Sequence, residues 1–129
     1  STYKELSMPA IGFTPITNKS LRAGDLAGFW RLRQGDTAVP LLAARFSDKS
    51  FHIFGVWGGG ASVSLKGSND PALASFETIT DAFDTLITQT GNGRPRVIHP
   101  NVLALMPELS GGDSNTDIYI AIVGRGNLQ

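Results

Sequence analysis

The 129-residue chain contains no cysteine, which excludes disulfides, thiolate zinc sites and cysteine nucleophiles. It also lacks an excess of charge of either sign: 11 basic residues balance 11 acidic ones. That balance gives no electrostatic basis for binding nucleic acid or an anionic membrane. Low net charge instead favours association, as in a surface that stays covered within an assembly. No apolar run approaches the ~18 residues of a membrane-spanning helix. The opening STYKELSMPAIG lacks the basic-then-apolar layout of a signal peptide, so a cytosolic origin is the expectation. Histidine is scarce. His52 lies in an aromatic run and His99 precedes Pro100, and no nucleophile elbow or triad signature accompanies either. Asp81 and Asp84 read as solvated turn acids. No catalytic residue, cofactor site or metal site is expected.

What the chain does have is 15 glycines and 7 prolines, in a composition 41% hydrophobic and 17% charged. Many turns and few long amphipathic helices follow. Residues 1–22 show no sustained period and are broken by Pro9 and Pro15. Yet Tyr3, Leu6, Met8, Ile11, Phe13 and Ile16 make this stretch too apolar for a solvated tail. It is an extended N-terminal arm, either laid across its own domain or docked on a neighbouring subunit.

Short β-like runs begin at Phe29. TAVPLLAARF (37–46) carries Pro40, which argues for an edge strand or a bulge. SFHIFGVW (50–57) offers Phe51, Ile53 and Val56 as inward candidates. In ASVSLKG (61–67), Ala61, Val63 and Leu65 face one side and Ser62, Ser64 and Lys66 the other, a half-buried antiparallel pattern. DAFDTLITQ (81–89) is ambiguous, because Phe83, Leu86 and Ile87 also fit one helical turn. RPRVIHPNVLALMPEL (94–109) reads as two short strands broken at Pro100, with Val102, Leu103, Leu105 and Met106 mostly buried. IYIAIVG (118–124) is apolar on both faces, so it is a central strand or is covered on its second side. Turn signals every 8 to 12 residues make the fold all-β: a single antiparallel β-sandwich or barrel domain over 23–129.

Several stretches admit a ligand reading beside a turn reading. Gly58-Gly59-Gly60 has no following Gly-Lys-Ser/Thr and no helix, so it reads as a turn rather than a phosphate loop. Asp113, Asn115 and Asp117 are spaced like the start of a calcium loop, but Ile118 stands where such a loop needs glycine. A polar hairpin end accounts for the same residues. GSNDP (67–71) has the composition of a hairpin bend. Trp30 and Trp57, with Phe29, Phe51 and Phe54, are the residues of a possible sugar-stacking platform. Phe29 and Trp30 are consecutive on a strand and must point to opposite faces, which leans toward an interface.

Gly67 to Asp70, Phe76, Thr80-Asp81, His99-Pro100, Gly111 to Ser114 and the final strand Ile118 to Val123 form a layout spanning 63–124. That layout resembles small structural proteins of tailed bacteriophages, the capsid cement or decoration proteins. The resemblance implies a β-sandwich or jelly-roll module on the exterior of the virion capsid, assembled in the host cytoplasm. Its partners would be the major capsid protein and further copies of itself, often as a homotrimer, with no nucleic acid or membrane. The candidate interface residues are then Tyr3, Leu6, Met8, Ile11, Phe13, Ile16, Phe29, Trp30 and Trp57. The alternative is a discoidin-like carbohydrate-binding sandwich or a tail or fibre module used in host attachment. Against the discoidin layout, Pro71 follows the Asp and Phe76 replaces the expected tryptophan.

Overall fold

The computed structural model describes residues 10–17, 21–22 and 24–126. Among them there is no helix, and the regular structure consists of twelve strands. The first sheet contains β2 (Thr14–Pro15), β3 (Leu26–Arg33), β6 (Phe46–Val56), β10 (Arg96–Val97) and β12 (Asp117–Gly126), in the order β10-β6-β12-β3-β2. The second contains β5 (Leu41–Leu42), β7 (Ser62–Ser68), β8 (Glu77–Thr78) and β11 (Ala104–Ser110), in the order β5-β11-β7-β8. There β9 (Thr88–Gln89) also pairs with β7. Every pairing in both sheets is antiparallel. A separate parallel pair joins β1 (Ala10–Ile11) to β4 (Thr37–Ala38).

The two sheets close on one core, so the chain is an all-β sandwich. From the first sheet come Trp30, Leu32, Phe51, Ile53, Ile118, Ile120 and Ile122, and from the second Val63, Leu65 and Leu105. Period-2 alternation explains the choice, since β-branched and aromatic residues at every second position suit a pleated, half-buried surface. As expected from its sequence, β12 is the central strand of its sheet. Trp30 is fully buried, and its indole Nε1 donates to the Val39 carbonyl at 2.9 Å. It is therefore a core residue and cannot meet a partner, contrary to its place among the interface candidates.

The described part of the N-terminal arm lies on its own domain. Ala10 pairs with Thr37 and Thr14 with Phe29. The Phe13 ring meets Trp30 edge-on, with centroids 4.9 Å apart. It also occupies the space where any side chain at position 28 would project, so Gly28 is what lets the arm approach β3. Ile11 and Phe13 thus spend apolar surface inside their own chain, while Ile16 stays exposed. Tyr3, Leu6 and Met8 lie outside the described residues.

Several local expectations are corrected. Val56 points outward and is 56% exposed, because the alternation that sends Phe51 and Ile53 inward puts residue 56 on the opposite face. Residues 81–87 form no helical turn. Thr80 bridges Leu86, sending Ile87 into the core while Phe83 and Leu86 remain exposed. Leu103 and Met106 are only half-buried. Pro40 falls between β4 and β5, outside either strand.

A second proline, Pro107, sits inside β11. It pairs with Leu65, whose own backbone groups bond to Ile87 and Ile79 on the far side of β7. The edge of Pro107 therefore faces away from β7, toward a slot of about 350 Å³ between Gly35–Ala38 and Met106–Ser110. No ladder hydrogen bond is lost there.

Trp30→Ala is expected to destabilise the fold by about 3–5 kcal/mol, through cavity formation at a fully buried site. Phe29→Ala, one residue away on the other face, is expected to cost about 1 kcal/mol. Denaturant unfolding of the two variants measures the difference, and equal losses would contradict the assigned faces.

Candidate interface on the first sheet

The side of the first sheet opposite the core carries a grid of side chains set by strand register. Tyr119 lies between Phe54 on β6 and Arg31 on β3, and Ala121 lies between His52 and Phe29. Val123 lies between Ser50 and Ala27, and Ser50 in turn pairs with Val97 on β10. Directly paired residues share a face. Phe29, Phe54, Tyr119, Val123 and Val97 are consequently presented together.

The aromatic rings form a row across three strands. Phe54 and Tyr119 stack nearly parallel, 10° apart with centroids at 5.5 Å. Phe29 tilts against Tyr119 at 5.4 Å, and His52 packs on Phe54 at 4.7 Å. Such contacts fix ring orientation without burying the rings fully. One end of the row is closed by charge: Arg31 grips Asp117 with two hydrogen bonds of 2.8 and 2.7 Å. Its guanidinium also lies over the Tyr119 ring at 5.3 Å. The Arg31 hydrogen bonds hold the Asp117 carboxyl below the usual carboxylate range, and Asp117 in turn raises Arg31.

At the other end the apolar surface continues past Val97 to the loop 81–86. Ala82 donates to the Val97 carbonyl, and a hollow of about 370 Å³ opens between Phe83, Pro95 and Val97 with Arg94 on its rim. Phe83 is 85% exposed, an unusual position for a phenylalanine. The loop holding it is organised by Asp81, itself buried. The Asp81 carboxylate accepts from the backbone N–H of Phe83 and Thr85 and from Arg96, at 2.9 to 3.1 Å. Arg96 is held in place by Gln89 and by the face of Phe51. Burial pushes the Asp81 carboxyl up, but those amides and Arg96 outweigh it and leave it below its usual range.

The stretches that invited a ligand reading are turns whose acids bond to the chain itself. Asp70 accepts from the amides of Ala72, Ala74 and Ser75, which lowers its carboxyl, and Asn69 accepts from the Leu103 amide. In GSNDP, Gly67 and Ser68 still belong to β7 and the bend starts at Asn69, whose side chain also ties down the entry to β11. Ile79 is the residue that re-enters the core beyond the bend. All three glycines at 58–60 adopt positive φ, and Gly59 accepts from the Gly112 amide, joining that turn to the one at 111–116. In the latter, Asp113 accepts from Asn115, while Asp117 is engaged by Arg31. Among the described residues no group of three or more His, Asp or Glu side chains is placed to hold a metal ion.

Of the six interface candidates among the described residues, Phe29 lies on the apolar outer face, and the exposed Ile16, whose amide donates to the Ala27 carbonyl, lies at its β2 edge. Trp57 packs against the core edge, and its Nε1 donates to Asn92 Oδ1 at 2.8 Å, so it is already engaged. With Trp30 and Phe51 buried, the sugar-stacking platform loses two of its five rings, and a third, Trp57, is half-buried. Tyr119, Val123, Val97 and Phe83 were not among the candidates. The signal that pointed to the first two was the doubly apolar β12.

No protein-family model matches the chain, and no curated protein matches it.

The folded-state carboxyls of Asp81 and Asp117 lie low, so folding favours their ionised forms. Their contribution is complete above the unfolded carboxyl value of about 3.9 and is lost as pH falls through the folded values. Asp81→Asn is expected to lower stability at neutral pH and to flatten its acid decline between roughly pH 5 and pH 1. Chemical unfolding across that range measures this. Faster hydrogen exchange at the Phe83 and Thr85 amides should accompany it.

Proposed function

We propose that the protein is a virion structural component, a cement or decoration protein on the capsid exterior of a tailed phage. In this reading it binds across major capsid protein subunits and stabilises the head. The observation that carries the reading is the apolar outer face of the first sheet. An antiparallel sheet with one solvated face normally alternates apolar and polar residues, yet here the outward positions of the central strand are Tyr119, Ala121 and Val123. Extended through Val97 to Phe83, that surface is the kind that marks a protein–protein contact. The turn layout over 63–124 and the absence of net charge support the same reading.

The mechanism is additive burial. A module seated over a joint covers apolar surface on more than one subunit, and linked weak contacts act as one strong one. The aromatic row supplies rigid anchors of low entropic cost, the residue type that dominates interface energetics. Self-association, as a trimer, would use part of the same surface. Two of the five sugar-stacking candidates, Phe29 and Phe54, lie on this face, so the carbohydrate reading stays the alternative.

Phage heads lacking the protein provide the assay. Tyr119→Ser and Phe83→Ser are each expected to weaken co-sedimentation with such heads by about 30-fold, the effect of losing a hot-spot side chain. Deleting residues 1–9, which leaves β1 and β2 in place, tests the arm separately. Full occupancy by both substituted proteins would sink the outer-face reading. Binding to a glycan array with no binding to heads would replace it with the attachment reading.

A further inference from the structure

Lys49 is the one lysine buried among the described residues, 3% exposed on β6. Its stem passes Gly124 of β12, where a side chain would collide with it. Its Nζ donates to two neutral oxygens, the Phe46 carbonyl at 2.6 Å and Asn101 Oδ1 at 2.8 Å. Among the described residues no carboxylate lies within ion-pair distance, the nearest acid in sequence being the exposed Asp48, which faces Arg125. Two N–H groups of the amine are thereby bonded to carbonyl oxygens, and its neutral form keeps a lone pair free. An ammonium ion there would be buried without a counter-charge, which is costly. Burial accordingly holds this amine below the ordinary lysine range, against a smaller opposing pull from Asp48.

Asn101 lies in the crossover from β10 in the first sheet to β11 in the second. Its carboxamide is both hydrogen-bond partner and electrophile. We propose that Lys49 and Asn101 form a site of spontaneous amide cross-linking between β6 and this crossover. The Lys49 Nζ lone pair attacks Asn101 Cγ, forming a C–N bond. The bond from Cγ to the side-chain nitrogen breaks, a proton passes from the attacking amine to the leaving nitrogen, and one ammonia departs. No oxidant or co-reactant is required.

Geometry and competition both favour this course. Fixing nucleophile and electrophile in contact is worth effective concentrations of roughly 10⁵–10⁸ M in well-oriented cases. The competing attack on the same carbon, by the backbone nitrogen of Val102, uses a far weaker nucleophile. It is also hindered by a β-branched side chain that is itself buried. Asn101 is exposed on its other side, so ammonia escapes to water. Among the described residues no carboxyl group bonds to either partner to assist the departure, so the reaction is slow and product accumulates during warm storage rather than at folding. This inference is independent of the proposed function.

The test is intact-mass analysis of the purified protein before and after weeks of warm incubation, followed by peptide mapping. The expected result is a loss of one ammonia per chain. It should come with a branched peptide joining the Lys49 and Asn101 segments and a higher thermal midpoint in the aged sample. Asn101→Ala and Lys49→Met should each abolish the branched peptide. The wild-type map is decisive even if a variant fails to fold. A chain that keeps its sequence mass overturns the proposal. So does an ammonia loss that maps to another asparagine, such as the Asn92-Gly93 step, as an unbranched imide.

Discussion

The pairing of β12 between β6 and β3 is the constraint on which the remaining structure depends. Ile118, Ile120 and Ile122 reach the core only in the register that sets Ile120 beside both Trp30 and Ile53. A slip of one residue would exchange the two faces of the strand. Because β12 is apolar on both sides, polarity alone does not forbid that slip. The neighbours do: the Val39 carbonyl fixes the face of Trp30 and so the core face of β3, and Arg31 on its other face needs Asp117 of β12. The register that fills the core therefore also decides the outer face, and the aromatic row is a by-product of the same pairing.

Around this rigid centre, much of the irregular chain is held by carboxylates bonded to backbone amides. Asp70, Asp81 and Asp113 each close a turn in this way. The three differ in depth. Asp70 and Asp113 act near the surface, whereas Asp81 is buried and needs Arg96 to offset its desolvation. That arrangement gives a loop without regular structure a defined shape, and it keeps Phe83 in solvent instead of letting it fold back on the sheet. Local order and exposed apolar surface are thus produced by one ion pair.

The all-β class, the central place of β12 and the turn character of GSNDP and the glycine triplet were legible in the sequence, because each rests on short-range periodicity or turn chemistry. The face chosen by each of the consecutive pair Phe29 and Trp30 was not. Alternation says only that they differ, and the choice is made by Val39 and Phe13, which arrive from other parts of the chain. Trp57 misled for a similar reason: its partner Asn92 lies on a distant loop. Phe83 and Val97 escaped notice because two-residue strands and bridges carry almost no periodic signal. The helical spacing of Phe83, Leu86 and Ile87 was coincidental, and the Asp81-centred turn overrode it.

Pro107 bears on how copies of this molecule can meet. Open strand edges carry the hazard that copies of a protein zip together into continuous sheets. In the second sheet β11 is flanked by only two residues of β5, leaving its edge from Met106 onward beside the slot. There the proline withholds the amide that an incoming strand would require. Edge-to-edge addition is disfavoured at that rim, whereas the aromatic face of the opposite sheet offers contact that needs no strand pairing. Contact through a face is finite, since it ends when the patch is covered.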